Sequence, residues 1–378
     1  MINKINEAIF AEVDKELQKK LFDYTPQQYG ILKTQLKEKI NSRLDREKCV
    51  LCHSSSGKAN SHNIPLSILK NISSNGFLST SATHMIDKNY FIFPTRTGLI
   101  ATQTFNIICD DCENTKFCSY ENEAIENDVP YNDIQYNELE LKILLYLLYY
   151  KKYILQFYTI ATENIKEQFE FVAKSLFLND DIKAINLEFL SNRYNAVNTD
   201  RFTCSKDVLD LEKLIKINRN SKKRYDSVFD TIISHKTGFA LSQGILPSYS
   251  ETGVQVNRTT DSTLYDYKFG YLCIAVFPLS ANFTRICVFY NNKYEGNLGF
   301  IKREFDKLLT MDAKLKKLSD LILLYTDKLV IDESKETLFK QIYVDYPELI
   351  KLDPTKIRDP KEYLSIVSKI KDVNIFNI

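Results

Sequence analysis

The sequence predicts an α+β fold in which a cysteine-rich module precedes a mainly helical region. Two Cys-x-x-Cys pairs, one at residues 49–52 and one at 109–112, enclose a segment rich in turn-forming residues. Leucine, isoleucine and tyrosine then recur at helical spacing from residue 136 to about residue 177. β-Branched and aromatic runs near residues 269–290 predict a β-hairpin inside the helical remainder.

The composition is that of a globular protein without a strong overall charge. The 378 residues include 50 lysines and arginines and 49 carboxylates, for a formal net charge of +1. Any nucleic-acid binding must therefore use local patches. The most apolar segment, residues 139–158, contains four charged residues and predicts a buried helix and no membrane contact. The chain start lacks the apolar core of a signal peptide, so we expect a cytoplasmic protein.

Residues 1–46 predict a helical N-terminal arm. Apolar positions from Ile5 to Leu17 follow helical spacing. Thr25 and Pro26 then have the pattern of an N-cap and a first helical position, which predicts a second helix. We expect the two helices to pack on the next domain, and the alternative is an arm that binds a partner.

Residues 47–128 predict a zinc-binding module. Two residues between thiols let a tight turn direct both sulfurs at one tetrahedral ion, and two such turns complete its shell. In a reducing compartment such pairs are metal or redox sites more often than disulfides, and the βαβ context of a redox motif is missing. We therefore expect a structural Zn²⁺ ion bound by Cys49, Cys52, Cys109 and Cys112.

Residues 129–378 predict a mainly α-helical region with the β-hairpin near 269–290. Helices are expected at about 136–177, 180–193, 205–218, 298–328, 333–345 and 361–371. A basic run ends the third of these and continues beyond it: Lys213, Lys216, Arg219, Lys222, Lys223 and Arg224. This run is either a solvated helix end or a surface that positions DNA through its phosphates without reading sequence.

The order of the motifs resembles a known nuclease family. A Cys-x-x-Cys pair, the segment Ser61-His62-Asn63-Ile64-Pro65 and a second pair followed by Glu113 are similar to the zinc-stabilised HNH, or ββα-metal, endonucleases. They look more closely like a bacterial group with Ser-His-x-Ile-Pro and a Cys-Glu followed by an aromatic residue and Tyr-Glu, here Tyr120-Glu121. The resemblance covers about residues 47–125 and implies a treble-clef-type ββα-metal module.

The resemblance implies a function and a set of roles. It implies metal-dependent hydrolysis of DNA phosphodiester bonds, in bacterial anti-phage defence or restriction. His62 falls on the general base, a task that suits a side chain titrating near neutrality. Asn106 is the nearest candidate for the asparagine that positions this base. A single Mg²⁺ or Mn²⁺ ion stabilises the developing charge, and Glu113 falls on one of its ligand positions.

Two positions depart from the family pattern. Ser61 stands where a metal-binding aspartate is common, and Glu113 stands where histidine or asparagine is common. Because a serine hydroxyl is a poor ligand and a carboxylate a good one, we expect Glu121 or His84 to assist Glu113. The alternative is a catalytically inactive zinc-binding module that binds nucleic acid or protein. On this alternative, Glu113 is only a charge in the first helical turn, where the helix dipole favours it.

DNA is the expected partner. The C-terminal region is expected to bind substrate, a partner protein or an activating subunit. Double-strand cutting usually needs two nuclease centres, so a homo-oligomer is a further expectation.

Overall fold

The described part of the chain begins at the second helix of the predicted arm. The computed structural model describes residues 26–55, 57–73, 75–86, 89–125, 129–174, 180–220, 223–250, 253–256, 270–279, 282–326, 329–346, 349 and 360–377. The predicted helix near Ile5–Leu17 lies outside these residues. Helix α1 (Pro26–Leu44) begins at the predicted proline. Its Ile40 and Leu44 form a small buried cluster with Ile160, so it packs on a helix far along the chain.

The cysteine-rich segment folds around a short antiparallel ribbon. Strand β1 (Ser61–His62) pairs with the later strand β4 (Thr104–Phe105). Between them lie helix α2 and a long hairpin, and after them comes helix α3: α2 (Leu66–Ile72), β2 (Phe77–Ile86), β3 (Asn89–Gly98) and α3 (Asp110–Lys116). A π-helical turn over Ser119–Ala124 follows. The β-branched and aromatic run Tyr90-Phe91-Ile92-Phe93 lies within β3.

Two long helices form an antiparallel hairpin. They are α4 (Asp133–Lys174) and α5 (Asp180–Asn220). Lys151 of α4 bonds Asp207 of α5 at 2.6 Å, and Glu140 of α4 accepts from Asn218 of α5 at 2.7 Å, so the residue numbers run in opposite directions. Two helices were expected within 180–218. The segment between them contains no glycine or proline to stop α5, so one helix runs through.

Seven of the described strands form one antiparallel sheet. Their order across the sheet is β3-β2-β9-β6-β7-β8-β5. The strands not yet introduced are β5 (Tyr225–Ile233), β6 (Phe239–Ile245), β7 (Leu272–Pro278), β8 (Thr284–Asn291) and β9 (Val330–Ile331). The predicted hairpin near 269–290 is present as β7 and β8, both fully buried. The sequence did not predict β5, β6 and β9 because their alternation is weak or their length is two residues.

The sheet and the cysteine-rich segment share one hydrophobic core. Ile64, Ile68 and Phe105 belong to the same buried cluster as Leu241 and Ile274 of the sheet. The remaining helices match predicted helical segments: α6 (Glu295–Asp306), α7 (Met311–Tyr325), α8 (Glu336–Asp345) and α9 (Pro360–Ile370). The described residues thus form an α+β fold, as predicted.

Among the helices that the described residues contain, none combines the length and apolar character that a bilayer crossing requires.

Candidate metal centre and candidate active site

The four cysteines of the two Cys-x-x-Cys pairs converge on one point. Their sulfur atoms all lie within 4.8 Å of one another. The Sγ atoms of Cys49 and Cys112 are 3.9 Å apart, and those of Cys52 and Cys109 are 3.5 Å apart. A tetrahedral zinc ion with Zn–S bonds of 2.3 Å separates its sulfurs by about 3.8 Å. The predicted convergence is confirmed, and the cluster can hold a metal ion such as zinc.

Backbone hydrogen bonds shape both cysteine turns. In the first turn the His53 amide donates to the Cys49 carbonyl, and His53 adopts a positive φ of 61° that closes the turn. In the second turn Cys109 is the residue before α3, and its amide donates to the Cys49 sulfur at 3.4 Å. These bonds aim the sulfurs of the two turns at each other.

The cysteine thiols differ in their readiness to lose a proton. The pKa of exposed Cys52 is lowered to about 6, first by a hydrogen bond from the backbone of Ser54 and then by bonds with Cys49 and Cys109. Burial is the main cause that raises the pKa of Cys112. A metal ion favours the thiolate in all four, so metal binding and proton release are coupled at this centre.

Strand β1 places Ser61 and His62 next to the second cysteine turn. Ser61 is fully buried, and its hydroxyl donates to Oε2 of Glu113 at 2.7 Å. Asn63 follows the strand and donates to the side chain of Gln103 at 2.8 Å and to the Ser242 carbonyl of β6 at 2.7 Å. These bonds fix the end of β1 against the large sheet.

Glu113 and Glu121 are joined by a lysine ammonium group. Nζ of Lys142, from α4, donates to Oε1 of Glu113 at 2.6 Å and to Oε1 of Glu121 at 2.9 Å. The Tyr120 hydroxyl donates to the same Glu121 oxygen at 2.8 Å. Lys142 is only 1% exposed, and its Nζ lies 4.3 Å from the ring centre of Phe117. The two carboxylates proposed as cation ligands do converge, and the cation between them is part of the chain.

Sequence reasoning missed Lys142. It treated this lysine as one of the charges that interrupt the apolar segment 139–158. A signal was available, because Lys142 is one helical turn from Leu139 and from Leu145, both fully buried, and so shares their face of α4. A lysine at such a position must be paired with negative charge.

His62 is half-buried and holds a neutral imidazole at pH 7. Burial is the largest cause that lowers its pKa below 6.5, and the charge of Lys142 lowers it further. Hydrogen bonding to the backbone of Ile100 and Asn60 and the charge of Glu113 oppose this shift. Its Nε2 atom is buried and has no hydrogen-bond partner among the described residues. A neutral imidazole with an uncommitted nitrogen can accept a proton.

Two further predicted site residues are not seen beside His62 and Glu113 among the described side chains. The Asn106 amide donates to Asp45 at 2.5 Å, so its side chain is directed to the segment after α1 and does not position His62. His84 lies in β2, and its side chain is not among those described.

The basic run divides into members with different roles. Lys223 is almost fully buried and bonds Glu140 at 3.1 Å, which makes it a structural ion pair. Arg219 donates to the Leu51 carbonyl of the first cysteine turn. Lys213 and Lys216 are exposed on α5, Arg224 is exposed just before β5, and Lys222 lies outside the described residues.

Comparison of the chain with protein-family models, with curated proteins and with solved structures finds no match.

Proposed function

We propose that residues 47–128 form an HNH-type endonuclease centre that hydrolyses DNA phosphodiester bonds, with His62 as the general base. The observation that carries the proposal is the buried Nε2 of His62, which lacks a hydrogen-bond partner among the described residues. Burial lowers the pKa of this imidazole, which favours the neutral form that a base requires. The local topology supports it. Paired strands β1 and β4 are followed by α3, whose Glu113 reaches back to Ser61 beside the base. This arrangement is similar to the ββα order that the sequence resemblance implies, with α2, β2 and β3 inserted between the two strands.

The proposed reaction assigns one proton transfer to the protein. The reaction requires a water molecule to reach the buried Nε2 of His62, which takes a proton from it. The resulting hydroxide attacks phosphorus, and the bond to the leaving oxygen breaks. The leaving alkoxide takes a proton from solvent. The Cys49, Cys52, Cys109 and Cys112 cluster holds a structural zinc ion, since four thiolates leave no open position for substrate.

A catalytic Mg²⁺ or Mn²⁺ ion does not fit the carboxylates in their present pairing. Glu113 and Glu121 supply the hard oxygen atoms that these ions prefer. However, the Lys142 ammonium already bridges one oxygen of each at 2.6 and 2.9 Å. A divalent ion fits only where this ammonium has moved away. No step of the reaction is therefore assigned to such an ion.

Cleavage of supercoiled plasmid by the purified protein tests the proposal. With Mg²⁺ or Mn²⁺ supplied, we expect the wild type to nick the plasmid and His62→Ala to be about 10²–10⁴-fold slower, the usual contribution of a general base. The matched control is His235→Ala, because His235 contacts the Phe376 backbone far from α3 in the sequence. Equal rates for wild type and His62→Ala would refute the role of His62.

A second candidate function is favoured by Lys142. A buried ammonium that already satisfies both carboxylates makes the module complete without a catalytic ion. On this alternative the protein is a catalytically inactive zinc-binding module that binds nucleic acid. The plasmid assay separates the two candidates: the inactive module retards the plasmid on a gel and leaves it uncut with either ion.

A further inference from the structure

We infer that a groove between the first cysteine turn and helix α5 binds the phosphate backbone of nucleic acid. The groove has a volume of about 690 Å³. One wall is formed by the first cysteine turn and the other by the C-terminal part of α5. Its cationic lining residues are Lys48, Lys152, Lys213, Lys216 and Arg219. The inference rests on the proposed function only in taking nucleic acid as the substrate class.

The charges of the groove are unevenly paired. Its two acidic lining residues, Glu47 and Glu212, both bond Lys152, at 2.6 and 2.8 Å. The two glutamates are thus held by one lysine, and the cations on the two walls face the open space. Lys48 and Lys216 are exposed. Apart from the cysteine cluster, the lining side chains comprise five cations and two carboxylates, in a chain whose overall charge is only +1.

Helix α5 places several positively charged side chains along the groove. Leu209, Lys213 and Lys216 are spaced four and three residues apart, so they share one face of the helix. Lys213 bonds Asp210 at 3.1 Å, but this pair is largely exposed and weak. Arg219, one turn further, uses one of its five N–H donors on the Leu51 carbonyl. Three cations therefore follow one another toward the cysteine turn.

The lining favours backbone contact over base recognition. Apart from His53, its remaining lining residues are aliphatic or cysteine, and none is phenylalanine, tyrosine or tryptophan. Stacking of bases on aromatic rings is thus not the mode of binding here. Lysines that neutralise phosphates give affinity without sequence preference and a strong dependence on salt. The proposed ligand is therefore the phosphodiester chain of a nucleic acid. Binding of an acidic polypeptide in its place is one of the outcomes that the experiment below distinguishes.

Salt-dependent DNA binding tests the inference. The full-length, zinc-loaded protein carries His62→Ala so that the probe is not cut, and fluorescence anisotropy follows a short labelled duplex at several NaCl concentrations. We expect Lys213→Gln with Lys216→Gln to reduce the slope of log K against log salt by about 2, since each phosphate contact contributes about 0.9. Lys307→Gln with Lys371→Gln removes the same charge from exposed lysines outside the groove and should leave the slope unchanged.

Three outcomes overturn the inference. They are an absence of duplex binding by the His62→Ala protein, equal slopes for the groove and control variants, and displacement of the duplex by polyglutamate at equal concentration. Unchanged thermal unfolding of the groove variant ensures that the fold is intact. If the groove variants change the salt slope as expected but the wild-type protein leaves supercoiled plasmid uncut with Mg²⁺ or Mn²⁺, the endonuclease proposal fails and the groove inference stands. The two failures are therefore distinguishable.

Discussion

The four-cysteine cluster and the carboxylate cluster meet at consecutive residues of α3, but they differ in the source of the positive charge that they can bind. Cys112 faces the other three thiols, whereas Glu113 faces Lys142. The sulfurs enclose a space of the size that an ion needs. The carboxylates enclose an ammonium group delivered by α4. The cysteine centre can thus be completed by an ion from solution, whereas the carboxylate centre is completed by a side chain of the protein.

The difference follows from the chemistry of the donors. Thiolates are soft ligands that select zinc over a protonated amine. Carboxylates are hard oxygen ligands that a lysine satisfies as well as a metal ion does, provided that the lysine is buried beside them. Lys142 meets this condition because α4 packs against the π-helical turn and brings the buried ammonium group to Glu113 of α3 and to Glu121. Metal dependence therefore cannot be inferred from convergent carboxylates alone.

Loss of the zinc centre is expected to have the largest effect. We expect Cys112→Ser to reduce zinc content well below one per chain and to unfold the module, because binding at structural zinc sites contributes about 10–16 kcal/mol. Metal analysis and thermal unfolding measure this. The exposed Cys118, outside the cluster, provides the control Cys118→Ser. A full zinc complement in a Cys49→Ser, Cys109→Ser protein would contradict the assignment.

Removal of the internal cation is expected to have the next largest effect. Lys142→Met leaves two carboxylates facing each other in a partly buried site, which we expect to reduce the free energy of unfolding by about 3–5 kcal/mol. Urea unfolding measures the change. A matched variant that combines Lys142→Met with Glu113→Gln and Glu121→Gln removes the repulsion and should recover most of the loss.

The same variant sharpens the comparison of the two centres. With the ammonium absent, Mn²⁺ should stabilise Lys142→Met, by about 2.7 kcal/mol at 100 times its dissociation constant, and should leave the wild type unchanged. If Mn²⁺ raised the melting temperature of both proteins equally, Lys142 would not be the group that excludes the ion.

A smaller effect is expected from the titration of His62. Its pKa is lowered on folding, mainly by burial, so between that value and 6.5 the unfolded chain binds the proton and the folded chain does not. The free energy of unfolding should therefore fall as pH drops below 6.5. His62→Gln should weaken this dependence, as measured by urea unfolding at pH 7.5 and 5.5. The midpoint of the acid limb of cleavage should likewise lie below pH 6.5. An acid limb centred above 6.5 would oppose the neutral-base role.

The smallest effect is expected at Asn106. Its amide bonds Asp45 and not His62, so Asn106→Ala should cost about 0.5–1.5 kcal/mol of stability, the net value of one hydrogen bond. Plasmid cleavage should be unchanged relative to the wild type. A hundredfold slower cleavage at equal stability would return Asn106 to the role that the sequence resemblance implies.

Local patterns predicted the cysteine cluster, and tertiary packing determined the rest of the site. Two residues between thiols strongly favour binding of one ion by both sulfurs. The ligands Cys49, Cys52, Cys109 and Cys112 could therefore be assigned from their spacing. The contact of Ser61 with Glu113 depends on how β1 and β4 pair, and that of Lys142 depends on where α4 packs against the π-helical turn after α3. These are long-range contacts that local periodicity does not encode. The strands β5 and β9 were missed for the same reason, since their partners give them their strand character.

Where zinc fills the cysteine cluster and a phosphate chain fills the groove, as proposed above, the bond from Arg219 to the Leu51 carbonyl links the two binding equilibria. Leu51 lies between the two thiols of the first turn, and that turn is one wall of the groove. Zinc that orders the turn thereby orders the wall, and a phosphate chain held against the wall favours the zinc-bound turn. Linkage is reciprocal, so each ligand must raise the affinity for the other by the same factor. Metal supply would then set how much of the protein is competent to hold DNA.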